Sequence, residues 1–287
     1  MPATDEPDHE ALRAENRERW DRSAPGWAAT HARLTATTMP VSRWLVDAIQ
    51  PQPGQRVLEL AAGVGETGFL AAELIQPGGT LICSDGSEAM LAQARARAAE
   101  LGLRNVEFAL IDLEWIDLPT ASVDAVLCRW GYMFALDRDA AARETRRVLR
   151  PGGRVALATW TEVARNPWAR VPREALYDAG LIDSLELRPP DPFALSTPER
   201  IADLLEGAGF ADVVTEEIEL AFRFADVDDL IADTCARSRP FADVVEPLNA
   251  RQRDDLWERI GRIAAPYAAP DGGYVLPGIA LVAVAEA

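Results

Sequence analysis

Between Arg56 and Trp160 short apolar runs alternate with helix-patterned segments, and this alternation limits the fold more than any other feature. RVLEL at 56–60 breaks at Ala61-Ala62-Gly63, and a helical stretch runs from Thr67 to Ile75. Pro77-Gly78-Gly79 turns the chain into TLICS, a second strand. Ser87 is placed to cap the helix EAMLAQARARAAEL, which Gly102 stops. Residues 105–110 and 123–128 read as strands three and four. AAARETRRVL forms a helix ended by Arg150-Pro151-Gly152-Gly153, and RVALATW is strand five. Repeated strand–helix units pair in parallel through right-handed crossovers, with helices on both faces. The expected class is therefore α/β, a doubly wound Rossmann-like sheet. Ligands bind such sheets beyond the carboxyl ends of the strands, where strand order reverses.

The flanks read differently. The first forty residues are polar and helical in character, and carry Trp20, Trp27 and His31 before Pro51 and Pro53 break the chain. The proline-rich stretch 161–196 suggests a covering loop and short helices. Thr197 and Pro198 suit the start of the helix ERIADLLEGAGF, and VVTEEIEL follows as a strand. Residues 226–265 read as amphipathic helices, and GIALVAVA as a final buried strand. The expected division is an N-terminal helical lid (1–50), a ligand-binding core (51–160), and acceptor-covering helical insertions that complete the sheet (161–287).

Gly63-Val64-Gly65-Glu66-Thr67-Gly68 fits G-x-G-x-x-G directly after a strand, and Asp85 follows about 20 residues later at the end of the second strand. Alone the glycine pattern is weak. In this context it points to an adenosine-containing ligand, because glycines admit the ligand to the backbone and the carboxylate suits ribose hydroxyls. A nicotinamide dinucleotide and S-adenosyl-L-methionine both meet that description. Glu59 and Glu66 would repel a pyrophosphate but favour a sulfonium and an ammonium. Asp112, after strand three, suits the amino group of adenine. The plainer reading of the two glutamates is as solvated acids.

Composition removes several classes. All 29 basic residues are arginines, so Schiff-base chemistry, a pyridoxal aldimine and a Walker A lysine are excluded. A net charge of −17 argues against nucleic acid and anionic lipid as partners. Cys83, Cys128 and Cys235 form no CxxC, and no His, Asp or Glu cluster has metal-ligand spacing, so no metal is expected. No apolar run approaches the roughly 20 residues of a membrane helix, and MPATDEPDHE has no signal-peptide core. A cytoplasmic protein without membrane insertion is expected; a homodimer is compatible with the sequence.

In VLELAAGVGETG (57–68), LICSDGSEAML (81–91), FALIDLEWIDLP (108–119), VDAVLCRWGYMFALD (123–137) and RRVLRPGGRVALATW (146–160), the chain resembles the class I S-adenosylmethionine-dependent methyltransferases. The resemblance is to the small-molecule type that includes the ubiquinone and menaquinone C-methyltransferases. It implies a seven-stranded sheet whose last strand, GIALVAVA, is antiparallel. It implies that Glu59 and the backbone at Ala61, Gly63 and Gly65 hold the methionine part of the cofactor. Asp85 would take the ribose hydroxyls, with Gly86 and Met90 near the adenine. Asp112 would accept from the adenine amino group, Leu113 would donate from its backbone, and Arg129 would face the methionine end. The family often has glycine where Ala61 stands.

Methyl transfer from a sulfonium needs alignment more than acid–base help, so a chain with two histidines can perform it. His31 is the candidate base, against the plainer reading of a packing or surface histidine. Trp130, Tyr132 and Met133 after strand four, Trp168 after strand five, and Trp27 in the lid are the expected acceptor pocket, suited to a flat or lipophilic small molecule. Two other readings stand beside this one: a fold that binds the cofactor but acts as a pericyclase, decarboxylase or regulator, and an NAD(P)-dependent oxidoreductase.

Overall fold

The computed structural model describes residues 9–187, 190–270 and 272–287. The parallel strands are β1 (Arg56–Glu59), β2 (Thr80–Asp85), β3 (Val106–Leu110), β4 (Val123–Arg129) and β5 (Leu149–Trp160). Two long strands, β6 (Ala211–Phe224) and β7 (Tyr274–Glu286), join the same seven-stranded sheet. Its order is β3-β2-β1-β4-β5-β7-β6, with β7 antiparallel to both of its neighbours. Order reverses between β1 and β4, so the crevice of the sheet opens beyond Glu59 and Arg129.

Side chains one residue apart on a strand enter opposite faces, and this divides the core in two. Val57, Leu81 and Leu127 point into a larger cluster, and Leu58, Ile82 and Val126 into a second one. Helices α1 (His9–Ile49), α2 (Thr67–Leu74), α3 (Glu88–Glu100), α4 (Arg138–Val148), α5 (Pro167–Asp178), α6 (Pro198–Gly207), α7 (Val227–Arg237), α8 (Arg239–Val245) and α9 (Ala250–Ala264) surround the sheet. Ser87 caps α3 by accepting from Met90 N, and Thr197 caps α6 by accepting from Arg200 N, as their positions predict.

The flanks depart from the sequence reading in extent. β6 has 14 residues and β7 13, because the two pair along almost their whole length. β6 is an edge strand, and its exposed Glu216, Glu217 and Glu219 blur the apolar pattern in sequence while protecting the edge from pairing. Residues 167–178, expected as loop and short helices, form the full helix α5, with Pro167 in its first turn where no N–H is needed.

α1 is the largest surprise: one 41-residue helix that runs through Pro25 and Pro40. Its last turns bury Val41, Leu45, Val46 and Ile49 in the larger cluster. Its middle crosses the carboxyl ends of the strands. There Asp21 accepts from Ser87 Oγ at 2.5 Å at the start of α3, and Thr38 and Ser42 accept from Arg129 at the end of β4. The helix also passes α7 at close range. A Cβ at Gly26 would lie 2.7 Å from the Ala236 carbonyl carbon, and the neighbouring Trp27 indole donates to Arg237 O at 3.2 Å. Gly26→Ala is therefore expected to push α1 off α7 and to lower stability by about 1–3 kcal/mol, the scale of overpacking against backbone. Thermal denaturation of the variant beside wild type reads this directly.

Candidate active site

The turn after β1 needs left-handed backbone at three positions: Ala61 (φ 50°), Gly63 (φ 57°) and Gly65 (φ 75°). Glycine adopts this region freely, whereas alanine there costs roughly 1–2 kcal/mol. Ala61 thus occupies a position whose conformation explains the family's glycine. Its methyl group fits because residue 131 is also glycine: a Cβ at Gly131 would come within 2.6 Å of Ala61 Cβ. Gly68 has another role. A Cβ there would lie 2.9 Å from the Glu59 carboxyl carbon, so only glycine lets α2 begin this close to β1.

Two buried carboxylates hold the turn. Asp85 Oδ2 accepts from Gly63 N at 2.8 Å, while its Oδ1 accepts from Ser87 N at 2.9 Å. Burial pushes its carboxyl up to about 6, against the opposing pull of these backbone donors. Glu59 Oε1 accepts from Gly68 N at 2.9 Å, and burial pushes this carboxyl up to about 7. Glu59 Oε2 has no partner among the described residues. Glu59 therefore sits beneath the turn and braces it, rather than lying on its surface. Arg97 completes the bracing by donating to Gly65 O.

The other expected cofactor residues converge on the same edge. Gly86 follows Asp85 directly, and a Cβ there would meet nothing closer than Ile111 O at 3.9 Å. Met90, on α3, is buried with Val64 of the glycine turn and Ala24 of α1. Asp112 follows β3 and accepts from Glu114 N at 2.9 Å, and Leu113 packs on the second cluster near Gly131. Arg129 donates to Thr38 Oγ1 at 2.7 Å and Ser42 Oγ at 3.1 Å, and pairs with Glu66 at 2.6 Å. The Arg129 and Glu66 side chains are 12% and 6% exposed. Glu66 is thus a buried, paired acid rather than a solvated one, and its Oε1 has no partner among the described residues.

The expected acceptor residues divide. Trp130, held at φ 60°, stacks on Trp160 with centroids 4.5 Å apart and planes 6° apart. Trp168 lies 4.8 Å from Trp160 and 5.2 Å from Phe222, extending the bank. Trp27 packs edge-on to Trp20, which meets Phe134. Met133 is core rather than pocket lining, 1% exposed in the larger cluster. Tyr132 does not join them. It is fully buried in the second cluster, and its hydroxyl bonds Thr145 of α4. The 3-10 turn over Tyr132–Phe134 sends successive side chains in different directions, so residues grouped after strand four do not share one pocket. His31 places Nδ1 3.2 Å from Ala28 O of its own helix.

Several site residues escape the sequence reading. Asp21, Thr38 and Ser42 reach the crevice from α1, and Arg97 reaches it from α3. The spacing of Thr38, Ser42 and the buried Leu45 at three and four residues marks one face of a helix, the only signal available.

Comparison with known proteins agrees with this geometry. Residues 57–153 match the model of a methyltransferase domain family. The nocamycin O-methyltransferase of Saccharothrix syringae is 32% identical over 218 residues, covering 72% of this chain and 78% of that protein. This chain belongs to the class I S-adenosylmethionine-dependent methyltransferases. A ubiquinone/menaquinone biosynthesis C-methyltransferase of Pasteurella multocida is 29% identical over 130 residues, 45% of this chain and 48% of that one. In fold, the methyltransferase resembles the YcgJ protein of Bacillus subtilis, with a TM-score of 0.57 at 17% identity over 85% of this chain and 97% of that one.

The residues present fit the cofactor. Glu66 Oε1 is a buried acceptor without a partner, suited to an ammonium, and Arg129 beside it suits a carboxylate. Asp85 keeps lone pairs for a diol beyond its two backbone donors.

Glu59 has a measurable pH signature. Its folded pKa lies above the unfolded one, so the fold favours the protonated form, and that stability is lost as pH rises from about 4.5 through about 7. Glu59→Gln keeps an oxygen for Gly68 N and cannot ionise. Melting temperatures of variant and wild type, compared from pH 5 to pH 8, are expected to shift steadily in the variant's favour as pH rises.

Proposed function

We propose that this methyltransferase transfers a methyl group to a small aromatic or lipophilic metabolite by in-line displacement. The observation that carries the acceptor class is the bank of Trp130 just after β4, Trp160 at the end of β5, Trp168 on α5 and Phe222 on β6. Indole faces favour flat, weakly hydrated rings. A relative that is an O-methyltransferase named for nocamycin supports an oxygen acceptor on a small molecule.

When bound, the cofactor supplies an activated methyl group on a sulfonium. The chain's part is to bind, orient and exclude water. In this reading Asp85 takes the ribose hydroxyls, Gly86 and Met90 border the adenine, and Asp112 with the Leu113 backbone recognises the adenine edge. The backbone at Ala61, Gly63 and Gly65 receives the methionine part, with Arg129 at its end. Glu59 acts through the turn it braces. α1 serves as a lid that shields the crevice from water, since it already joins α3, the glycine turn and β4 from above. In this reading His31 is the candidate base. The Ala28 carbonyl can only accept, so Nδ1 carries the hydrogen and Nε2 is left as the base.

Incubating the protein and S-adenosylmethionine with a metabolite extract is expected to add one methyl group to a small acceptor, read by mass spectrometry; transfer to none would sink the reading. Asp85 offers a second check. Ribose hydroxyls donate to the ionised carboxylate, so binding of S-adenosylhomocysteine is expected to tighten as pH rises through about 6. Calorimetry at pH 6 in buffers of different ionisation enthalpy is expected to show proton release on binding, and Asp85→Asn to abolish that release.

A further inference from the structure

Arg129 stands at a junction that the reading of the site does not explain. One guanidinium nitrogen reaches Glu66 of the glycine turn at 2.6 Å. Another reaches Thr38 Oγ1 at 2.7 Å and Ser42 Oγ at 3.1 Å, both on α1. Ser42 Oγ also lies 3.0 Å from Thr67 Oγ1 in the first turn of α2. The guanidinium covers the Trp130 ring at 4.9 Å, joining this junction to the aromatic bank. All of these contacts lie in a largely buried pocket, where removing one partner of an ion pair is costly.

The two ends of the pair have the charges of an α-amino acid reversed. Glu66 keeps a buried oxygen, Oε1, with no partner among the described residues. The N-terminus of α2 has no side-chain cap either, since Glu66 makes no such bond. A buried acid with a vacant lone pair, beside an arginine and an uncapped helix start, matches an ammonium and a carboxylate held on one carbon.

We infer that the Arg129–Glu66 pair is an internal stand-in for the methionine zwitterion, and that exchanging it for the cofactor's own charges transmits occupancy to α1. This rests on the methyltransferase reading above. The incoming carboxylate takes Arg129 and the incoming ammonium takes Glu66, so each charge trades one partner for another and none is left bare. As Arg129 turns toward the carboxylate, its bonds to Thr38 and Ser42 change, and the lid helix responds. The signal is specific to the amino-acid end of the ligand, because adenosine and ribose meet other residues.

The test compares S-adenosylhomocysteine, which carries the zwitterion, with 5′-methylthioadenosine, which lacks it. Calorimetry gives affinity, and hydrogen exchange of residues 20–49 gives the lid response without any turnover. For wild type, both ligands are expected to bind, with only S-adenosylhomocysteine changing exchange around Thr38 and Ser42. Arg129→Met is expected to weaken S-adenosylhomocysteine by about 10- to 100-fold and to leave 5′-methylthioadenosine within about threefold. Glu66→Gln, which keeps shape and an acceptor, guards against simple misfolding and is expected to show the same selectivity more mildly. Thr38→Val with Ser42→Ala is expected to abolish the exchange response at saturating S-adenosylhomocysteine. Equal losses for both ligands in the Arg129 and Glu66 variants, or an equal lid response to both ligands in wild type, would overturn the inference and leave the cofactor assignment standing. Binding of neither ligand by wild type would instead overturn the cofactor assignment itself.

Discussion

Much of the site depends on two carboxylates buried at the ends of adjacent strands. Glu59 and Asp85 each accept from a backbone amide of the glycine turn, Gly68 and Gly63 respectively. The three left-handed residues, Ala61, Gly63 and Gly65, have no polar side chain with which to hold themselves in place. Its shape comes from those two acids beneath it, from Arg97 at its side and from the α1 residues packed above. The cost is visible in the acids themselves, both pushed toward neutrality by burial. A site that binds a ligand through backbone groups needs this kind of fixed support, because a loose loop would lose the orientation on which transfer depends.

α1 is the second organising element, and it does two jobs along one length. Its C-terminal turns are ordinary core, with Leu45 and Val41 fully buried. Its middle spans the crevice, contacting α3 through Asp21, α7 through Trp27 and β4 through Thr38. A single continuous helix makes these jobs mechanically dependent. Movement over the crevice must be absorbed within the helix, and Pro25 and Pro40, each missing an amide hydrogen, are the positions where it is least resisted.

The parallel half of the sheet was legible because its signals are local. Apolar runs, a capping serine at 87 and glycines at 63, 65 and 102 each act within a few residues. β6 was harder to bound, since an edge strand that carries Glu216, Glu217 and Glu219 on its exposed positions reads as polar surface. At the site, Asp85 was readable from its distance to the glycine turn. Glu59 was readable as important but not as a brace, because its role depends on the missing Cβ of Gly68. Tyr132 failed as a pocket residue for a similar reason: a single 3-10 turn rotates it onto Thr145, and nothing in the order Trp-Gly-Tyr-Met marks that rotation. Thr38 and Ser42 showed only a helical spacing, with nothing to link them to the arginine they meet 91 and 87 residues away.

The Ala61–Gly131 contact has a consequence for how such a chain can change over time. The methyl group at 61 and a side chain at 131 compete for one volume, so neither position can be altered without regard to the other. Substitution at 131 demands glycine at 61 and also movement of Cys128, whose Sγ lies 2.6 Å from where a Cβ at 131 would stand. History therefore matters here: the order of the replacements decides whether an intermediate survives, and the residue that follows Trp130 is governed jointly by Cys128 and by a turn 70 positions earlier in the chain.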